Sequence, residues 1–262
     1  MKIGLALGSG GPKGLAHIGV LKVLLEHGIR PEVIAGSSIG ALVGGAYAKL
    51  GDIKEIERIA SSSDMRVVLS VLFDPTLKMG LVKGKKVINF LSKHIGDAEV
   101  SLLSPNFFAV ATDFSTGKPF IFKKGSLITA IRASISIPIF FQPVEFEGRL
   151  LMDGGLSMQV PVEPLKNYGV DFVVAVNLQG HLSQTSYRKP SKFNFYNIFS
   201  GSIDILQFNL AKENCKLADI TLYPDVFDIG WEYFWKPSQV IERGEIAARK
   251  EILKILEIIE KV

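Results

Sequence analysis

The stretch Glu32-Val33-Ile34-Ala35 closes in Gly36-Ser37-Ser38-Ile39-Gly40 and passes directly into a second apolar run built of small residues. A chain written this way leaves a strand and enters a helix within about one residue. The Gly-x-Ser-x-Gly spacing is that of a nucleophile turn, in which the serine rides a strained junction between strand and helix. The two glycines have a steric purpose, because neighbours without Cβ atoms let the helix pass close to the strand. Ser38 is therefore the candidate reactive hydroxyl. Small-residue strings also occur in ordinary turns and glycine-rich helices, so the rest of the chain has to decide.

The first fourteen residues supply context. Lys2 to Leu7 reads as a short buried strand, followed by the loop Gly8-Ser9-Gly10-Gly11-Pro12-Lys13-Gly14. Leu15, Ile18, Leu21, Leu24 and Leu25 then recur at helical spacing, with Gly28 placed to cap the helix in a left-handed conformation. Such a loop presents free backbone N–H groups at the positive end of a helix, where a negatively charged oxygen is stabilised. A dinucleotide site would need a third glycine and an acid at the end of the second strand, but Lys13 and the Gly-Ser-Ser sequence stand there. A phosphate-binding Gly-Lys-Ser/Thr loop is absent too, since Gly14 precedes Leu15. The oxyanion of an acyl-transfer intermediate fits better.

A hydrolytic serine needs a base. The chain has 4 histidines, and none sits in a setting that recommends it. His17 and His27 fall within or at the end of the first helix, His94 in a helix over Lys85 to Ile95, and His181 in a polar stretch after a strand; each reads as an ordinary surface or core residue. Arg149 to Gly155 reads as a strand closing in Asp153-Gly154-Gly155, with the acid at the strand end, where α/β sheets place their ligands. The same Asp-Gly pair is also what an ordinary hairpin turn uses.

Serine, glycine loop and aspartate together resemble the patatin-like phospholipase family, as does Ala133-Ser134 followed by Pro138. The resemblance runs from the first strand to about Asn177 and is most diagnostic over residues 3–177. It implies a three-layer α/β/α fold with a mostly parallel central sheet, and a serine–aspartate dyad of Ser38 and Asp153. It also implies an oxyanion hole at Gly10, Gly11 and Lys13, and no metal or cofactor. The substrate class it implies is a lipid or other acyl ester, cleaved as by a phospholipase A or lysophospholipase through an acyl-serine. The alternative is a non-catalytic or regulatory protein of the same fold that binds acyl chains or a protein partner. Two positions depart from the family pattern. Ser9 stands where another glycine is common, and Lys13 where bacterial members commonly carry arginine, so the charge is kept without the planar donor fork. Pro12 has no N–H, which leaves the amides of Gly10 and Gly11 as donors.

With 262 residues, 47% of them hydrophobic, and a mean hydropathy of +0.27, the chain has ample material for one core, and residues 1–262 read as a single domain. Helical stretches near Ile53 to Ser62, Lys85 to Ile95 and Ser126 to Ser134 alternate with strands at Phe107 to Thr112 and Asp171 to Asn177. A hairpin is expected across Thr116-Gly117, and an amphipathic helix from Ser238 to Val262 carrying Ile252, Ile255, Leu256 and Ile259. That alternation predicts a mostly parallel sheet covered by helices on both faces. An ordinary α/β-hydrolase is disfavoured by chain order: it reaches its serine after several strands and ends with a histidine, whereas here no histidine follows His181.

The balance of 30 basic against 26 acidic residues argues against a dedicated nucleic-acid binder. No secretory segment is evident. The uncharged stretch Val33 to Ala48 would reach about 24 Å as a helix, short of the ~30 Å hydrocarbon core. Cys215 is the single cysteine, which excludes an intramolecular disulfide and suits a cytoplasmic protein. Arg188, Lys189 and Lys192 precede Phe193, Phe195, Tyr196 and Phe199, and a second aromatic cluster comprises Phe227, Trp231, Tyr233, Phe234 and Trp235. Cations beside rings suit peripheral contact with a membrane surface. An acyl-chain tunnel wall or a subunit contact would use the same residues, and the oligomeric state is not fixed by the sequence.

Overall fold

The computed structural model describes residues 1–62, 84–138, 140–180, 195–229 and 236–260. The described elements are, in chain order, β1 (Ile3–Leu7), α1 (Ala16–Glu26), β2 (Val33–Ser37), α2 (Ile39–Leu50), α3 (Ile53–Ala60), α4 (Lys85–His94), β3 (Asn106–Asp113), β4 (Pro119–Phe122), α5 (Leu127–Ser134), β5 (Val144–Phe146), β6 (Arg149–Asp153), α6 (Glu163–Tyr168), β7 (Phe172–Val176), α7 (Phe195–Cys215), β8 (Ile220–Leu222) and α8 (Pro237–Glu260). Short 3-10 turns lie at Gly11–Leu15, Val100–Leu102 and Gly154–Leu156.

The strands form an 8-stranded sheet whose parallel centre runs β3-β2-β1-β7-β8, while β4, β5 and β6 add an antiparallel margin. The pleat sorts the central side chains into two cores. Leu5, Leu7, Ile34, Phe107, Val174 and Val176 face one core with the large residues of α1, α2 and α8. Ala6, Val33, Ala35, Phe108, Val173 and Ala175 face the other, closed by Leu165 of α6 and by Ala211 and Cys215 of α7. The result is the expected α/β/α sandwich around a mostly parallel sheet. On its larger face α1 and α8 cross at Gly19 and Gly244, where an added Cβ would run into the backbone carbonyls of Ile241 and Ala16.

One detail of the sheet decides where the chemistry sits. Ala109 of β3 pairs with both Gly36 of β2 and Phe122 of β4, and Ala111 pairs with both Phe120 of β4 and Asp153 of β6. A residue has only two flanks, so β4 occupies one side of β3 while β2 and β6 share the other. Along that shared flank β2 runs parallel to β3 and ends at Ser37 opposite Val110, and β6 runs antiparallel and ends at Asp153 opposite Ala111. The two strands meet head to head, and the residues that terminate them become neighbours.

Several boundaries differ from the sequence reading. The first helix does not start at Leu15: Gly11–Leu15 is a 3-10 turn with Pro12 in its first positions, and α1 begins at Ala16. The last helix spans Pro237–Glu260, with Ile252 and Ile255 buried but Leu256 and Ile259 only half-buried. Helix α7 has no counterpart in that reading because Phe195 to Leu210 mixes apolar residues with Asn197, Ser200, Ser202, Gln207 and Asn209 and has Asp204 as its single charge, so no clear amphipathic stripe is written into it. Ile198, Ile205 and Leu206 of α7 are exposed. Among the described residues no helix is long and apolar enough to cross a membrane.

Candidate active site

Ser38 sits between β2 and α2 with φ 53° and ψ −121°. Among the described residues it shares a positive φ with a single other non-glycine residue, Glu147 in the β5–β6 turn. A side chain held in that region costs on the order of 1–3 kcal/mol, so the surroundings must enforce it. They do so by hydrogen bonding: the Ser38 N–H donates to Ser134 Oγ at 2.9 Å, and the Ser134 hydroxyl donates onward to the Val110 carbonyl at 2.6 Å. The Ser38 carbonyl accepts the N–H groups of Ala41 and Leu42, which starts α2. The steric reading of the flanking glycines holds as well. A Cβ on Gly36 would strike the Gly40 carbonyl and the Ala41 backbone, and one on Gly40 would strike the Leu7 carbonyl.

The meeting of β2 and β6 brings Ser38 Oγ to 2.6 Å from Asp153 Oδ2, across 115 positions of chain, with the hydroxyl donating. Asp153 Oδ1 accepts the Gly155 N–H at 2.8 Å. The backbone of the aspartate is fixed too: its carbonyl accepts from Thr112 Oγ1 at 2.7 Å, and its N–H donates to the Ser136 carbonyl at 3.0 Å. Ser38 and Asp153 are 3% and 5% exposed, respectively. Burial pushes the Asp153 carboxyl up to about 6, against the opposing pull of the Ser38 hydroxyl and the Gly155 N–H. A carboxylate with that pKa is a better proton acceptor than one in water and is still ionised at neutral pH.

The first loop packs against this pair. A Cβ on Gly155 would lie 2.6 Å from Ser9 Oγ, so the loop rests on the turn that follows Asp153. The loop is anchored by its own amides: Gly8 N–H donates to the Val176 carbonyl and Ser9 N–H to the Gln159 carbonyl. The next two donors, the N–H groups of Gly10 and Gly11, have no acceptor among the described residues. Gly11 adopts φ 56°, the left-handed region that glycine enters without steric cost. Lys13 follows in the 3-10 turn. Its ammonium lies 6.0 Å from the centre of the Phe227 ring; burial lowers its pKa, and the charge of Asp204 on α7 works in the opposite direction.

The histidines stand elsewhere. His27 bonds the Val23 carbonyl at 2.9 Å, and His94 lies against Phe90; His181 lies outside the described residues. His17 has a role that the sequence reading missed. It is fully buried, and its Nε2 lies 2.8 Å from the carbonyl of Gly8, so the proton belongs on Nε2 and the ring braces the glycine loop at its first residue. Burial drives its pKa down to about 4, with the Gly8 bond opposing, which keeps the ring neutral. The signal in the sequence was a polar ring flanked on both sides by apolar residues, Leu15-Ala16 and Ile18. Ser134 stands out in the sequence as part of a motif, but nothing local reveals that its hydroxyl holds the backbone of Ser38. Of the basic and aromatic segments, Phe227 is described and partly exposed, whereas Arg188, Lys189, Lys192, Phe193 and Trp231 to Trp235 lie outside the described residues.

Residues 5–166 match the family described as patatin-like phospholipase. The chain is 41% identical over 180 residues to an uncharacterized NTE family protein of Mycobacterium tuberculosis, a match covering 68% of this chain and 49% of that protein. It is 35% identical over 179 residues to the lysophospholipase NTE1 of Candida albicans, covering 67% of this chain and 13% of the other. The chain therefore spans about half the length of the mycobacterial relative and a small part of the fungal one. Among solved structures, VipD from Legionella pneumophila superposes with a TM-score of 0.49 at 13% identity, covering 95% of this chain and 66% of that one. With more than half of its length matched by the family and the residues that define the motif in place, the chain belongs to the patatin-like phospholipase family.

Proposed function

We propose that this chain is a lipid acyl hydrolase that cleaves carboxylic esters of phospholipid or lysophospholipid type, with Ser38 as nucleophile and Asp153 as its base. The observation that carries the reading is the 2.6 Å hydrogen bond from Ser38 Oγ to a carboxylate buried at a strand end. Family membership supports the substrate class, as does a fungal relative named as a lysophospholipase.

The reaction runs in two halves. Asp153 Oδ2 takes the Ser38 hydroxyl proton while Oγ bonds to the ester carbonyl carbon, and the carbonyl π pair moves onto oxygen. The N–H groups of Gly10 and Gly11 are the free donors for that oxyanion, and the N-terminus of α2 adds its dipole. Collapse of the intermediate breaks the bond to the alcohol oxygen, which leaves with the proton from Asp153, and the acyl group stays on Ser38. A water molecule then gives its proton to Asp153 and attacks the acyl carbon. The second tetrahedral intermediate releases the fatty acid and returns the proton to Oγ.

The test is hydrolysis of p-nitrophenyl butanoate and of lysophosphatidylcholine by the wild type and by Ser38→Ala and Asp153→Asn proteins. Both substitutions are expected to lower kcat by at least about a thousandfold. Wild-type turnover retained by either variant would overturn the dyad.

A further inference from the structure

Helix α5 ends in Arg132-Ala133-Ser134, and Ile135-Ser136 follows. This one stretch touches both members of the candidate pair: the Ser134 hydroxyl accepts the Ser38 N–H, and the Ser136 carbonyl accepts the Asp153 N–H. Ser136 is fixed in turn by Arg132. Nη1 of the guanidinium donates to Ser136 Oγ at 2.7 Å, the same hydroxyl donates back to the Arg132 carbonyl at 2.9 Å, and Nη2 donates to the Gln142 carbonyl at 3.1 Å. The guanidinium carbon stands 4.6 Å from the centre of the Phe141 ring, and Nε lies against Gly84, where an added Cβ would strike it.

Arg132 is 4% exposed, yet among the described residues no carboxylate pairs with it and its Nε has no acceptor. A buried cation without a counter-charge destabilises the fold, and an apolar side chain of the same volume would fill the place at less cost. Burial lowers its pKa to about 10, so the group is still charged at neutral pH. Its compensation is the negative end of α5, whose last turn it occupies, together with a hydroxyl, a carbonyl and a ring. What a guanidinium supplies and an apolar residue lacks is a rigid fork, two donors in one plane aimed at two points of the chain. We propose that Arg132 is a positioning residue for the reaction at Ser38: its fork clamps Ser136 and Gln142 together and so holds the carbonyl that fixes the Asp153 backbone opposite the serine. The proposal rests on the hydrolase reading for the chemistry that this alignment serves. Arg132 touches neither Ser38 nor Asp153 and acts on the pair through Ser136.

Arg132→Met keeps the bulk and removes the donors. It is expected to slow fluorophosphonate attachment to Ser38 by about tenfold or more and to lower kcat for p-nitrophenyl butanoate alike, with KM within threefold of wild type. Ser136→Ala removes the hydroxyl that receives the clamp but keeps the backbone carbonyl, and is expected to slow attachment by about threefold or more. Because the two side chains act in series, the double variant should label within twofold of Arg132→Met, whereas independent defects would multiply. A merely structural role would lower the labelled amplitude and the urea midpoint and leave the rate alone. If Arg132→Met does not fold, Ser136→Ala and Arg132→Lys, which keeps the charge without the fork, read the same rate: threefold slowing in both supports the clamp. Labelling within twofold of wild type in the single variants, or losses that multiply in the double variant, would overturn the proposal and leave the dyad standing. If wild-type Ser38 takes no label, the hydrolase reading fails and the proposal falls with it.

Discussion

At the scale of single residues, the site sets stability against chemistry. The Asp153 carboxyl is raised from 3.8 to about 6 chiefly by burial. A carboxyl raised in the folded state contributes stability that is fully present below pH 3.8 and is lost as the pH climbs through 6. At neutral pH the ionised group therefore costs on the order of 3 kcal/mol relative to a neutral isostere. Asp153→Asn keeps an oxygen able to accept the Gly155 N–H or the Ser38 hydroxyl, so urea unfolding at pH 8 should show it more stable than wild type by up to about that amount, and no more stable at pH 3.5. Ser134 is the second residue to test. Removing its hydroxyl orphans the buried N–H of Ser38, which costs about 1–3 kcal/mol and lets the strained turn relax. Ser134→Ala is expected to slow fluorophosphonate labelling of Ser38 at least tenfold while leaving KM for p-nitrophenyl butanoate within threefold. A purely structural defect would lower the labelled amplitude without slowing the labelling rate.

At the scale of elements, the decisive event is the meeting of β2 and β6 along one flank of β3. Each half of it was legible in the sequence: the Gly-x-Ser-x-Gly turn and the Asp-Gly-Gly strand end are local patterns with local causes. The register that makes them touch was not, because it depends on pairings of β3 with strands on both sides and on the β5–β6 turn that sends β6 back antiparallel. The same contrast separates α8, whose spaced isoleucines announced a packed helix, from α7, whose interspersed polar and apolar residues gave no clear period to read. His17 and Ser134 escaped for a related reason, since their partners Gly8 and Val110 are placed by the sheet. Gly40 belongs at this scale as well. Its missing Cβ lets α2 approach the end of β1, and Gly40→Ala is expected to destabilise the protein by roughly 1–3 kcal/mol or more, read as a lowered urea midpoint.

At the scale of the molecule, two buried titrating groups oppose each other. His17 is lowered from 6.5 to about 4 by burial, so its share of stability is present above pH 6.5 and is lost as the pH falls towards 4. Over pH 4 to 6 that loss on acidification is offset by the Asp153 contribution, which grows in the same direction, and the wild type should show a shallow pH dependence there. Asp153→Asn removes the offset, so this variant should lose on the order of 3 kcal/mol between pH 7 and pH 4, as followed by urea midpoints. The sheet thus holds a neutral imidazole against the glycine loop and a raised carboxylate beside the Ser38 hydroxyl. The most direct test of that arrangement is the rate of fluorophosphonate attachment to Ser38 as a function of pH, read by peptide mass. The rate should rise about tenfold per pH unit below 6 and level off above it. A flat profile, or a label carried by any residue other than Ser38, would contradict the dyad.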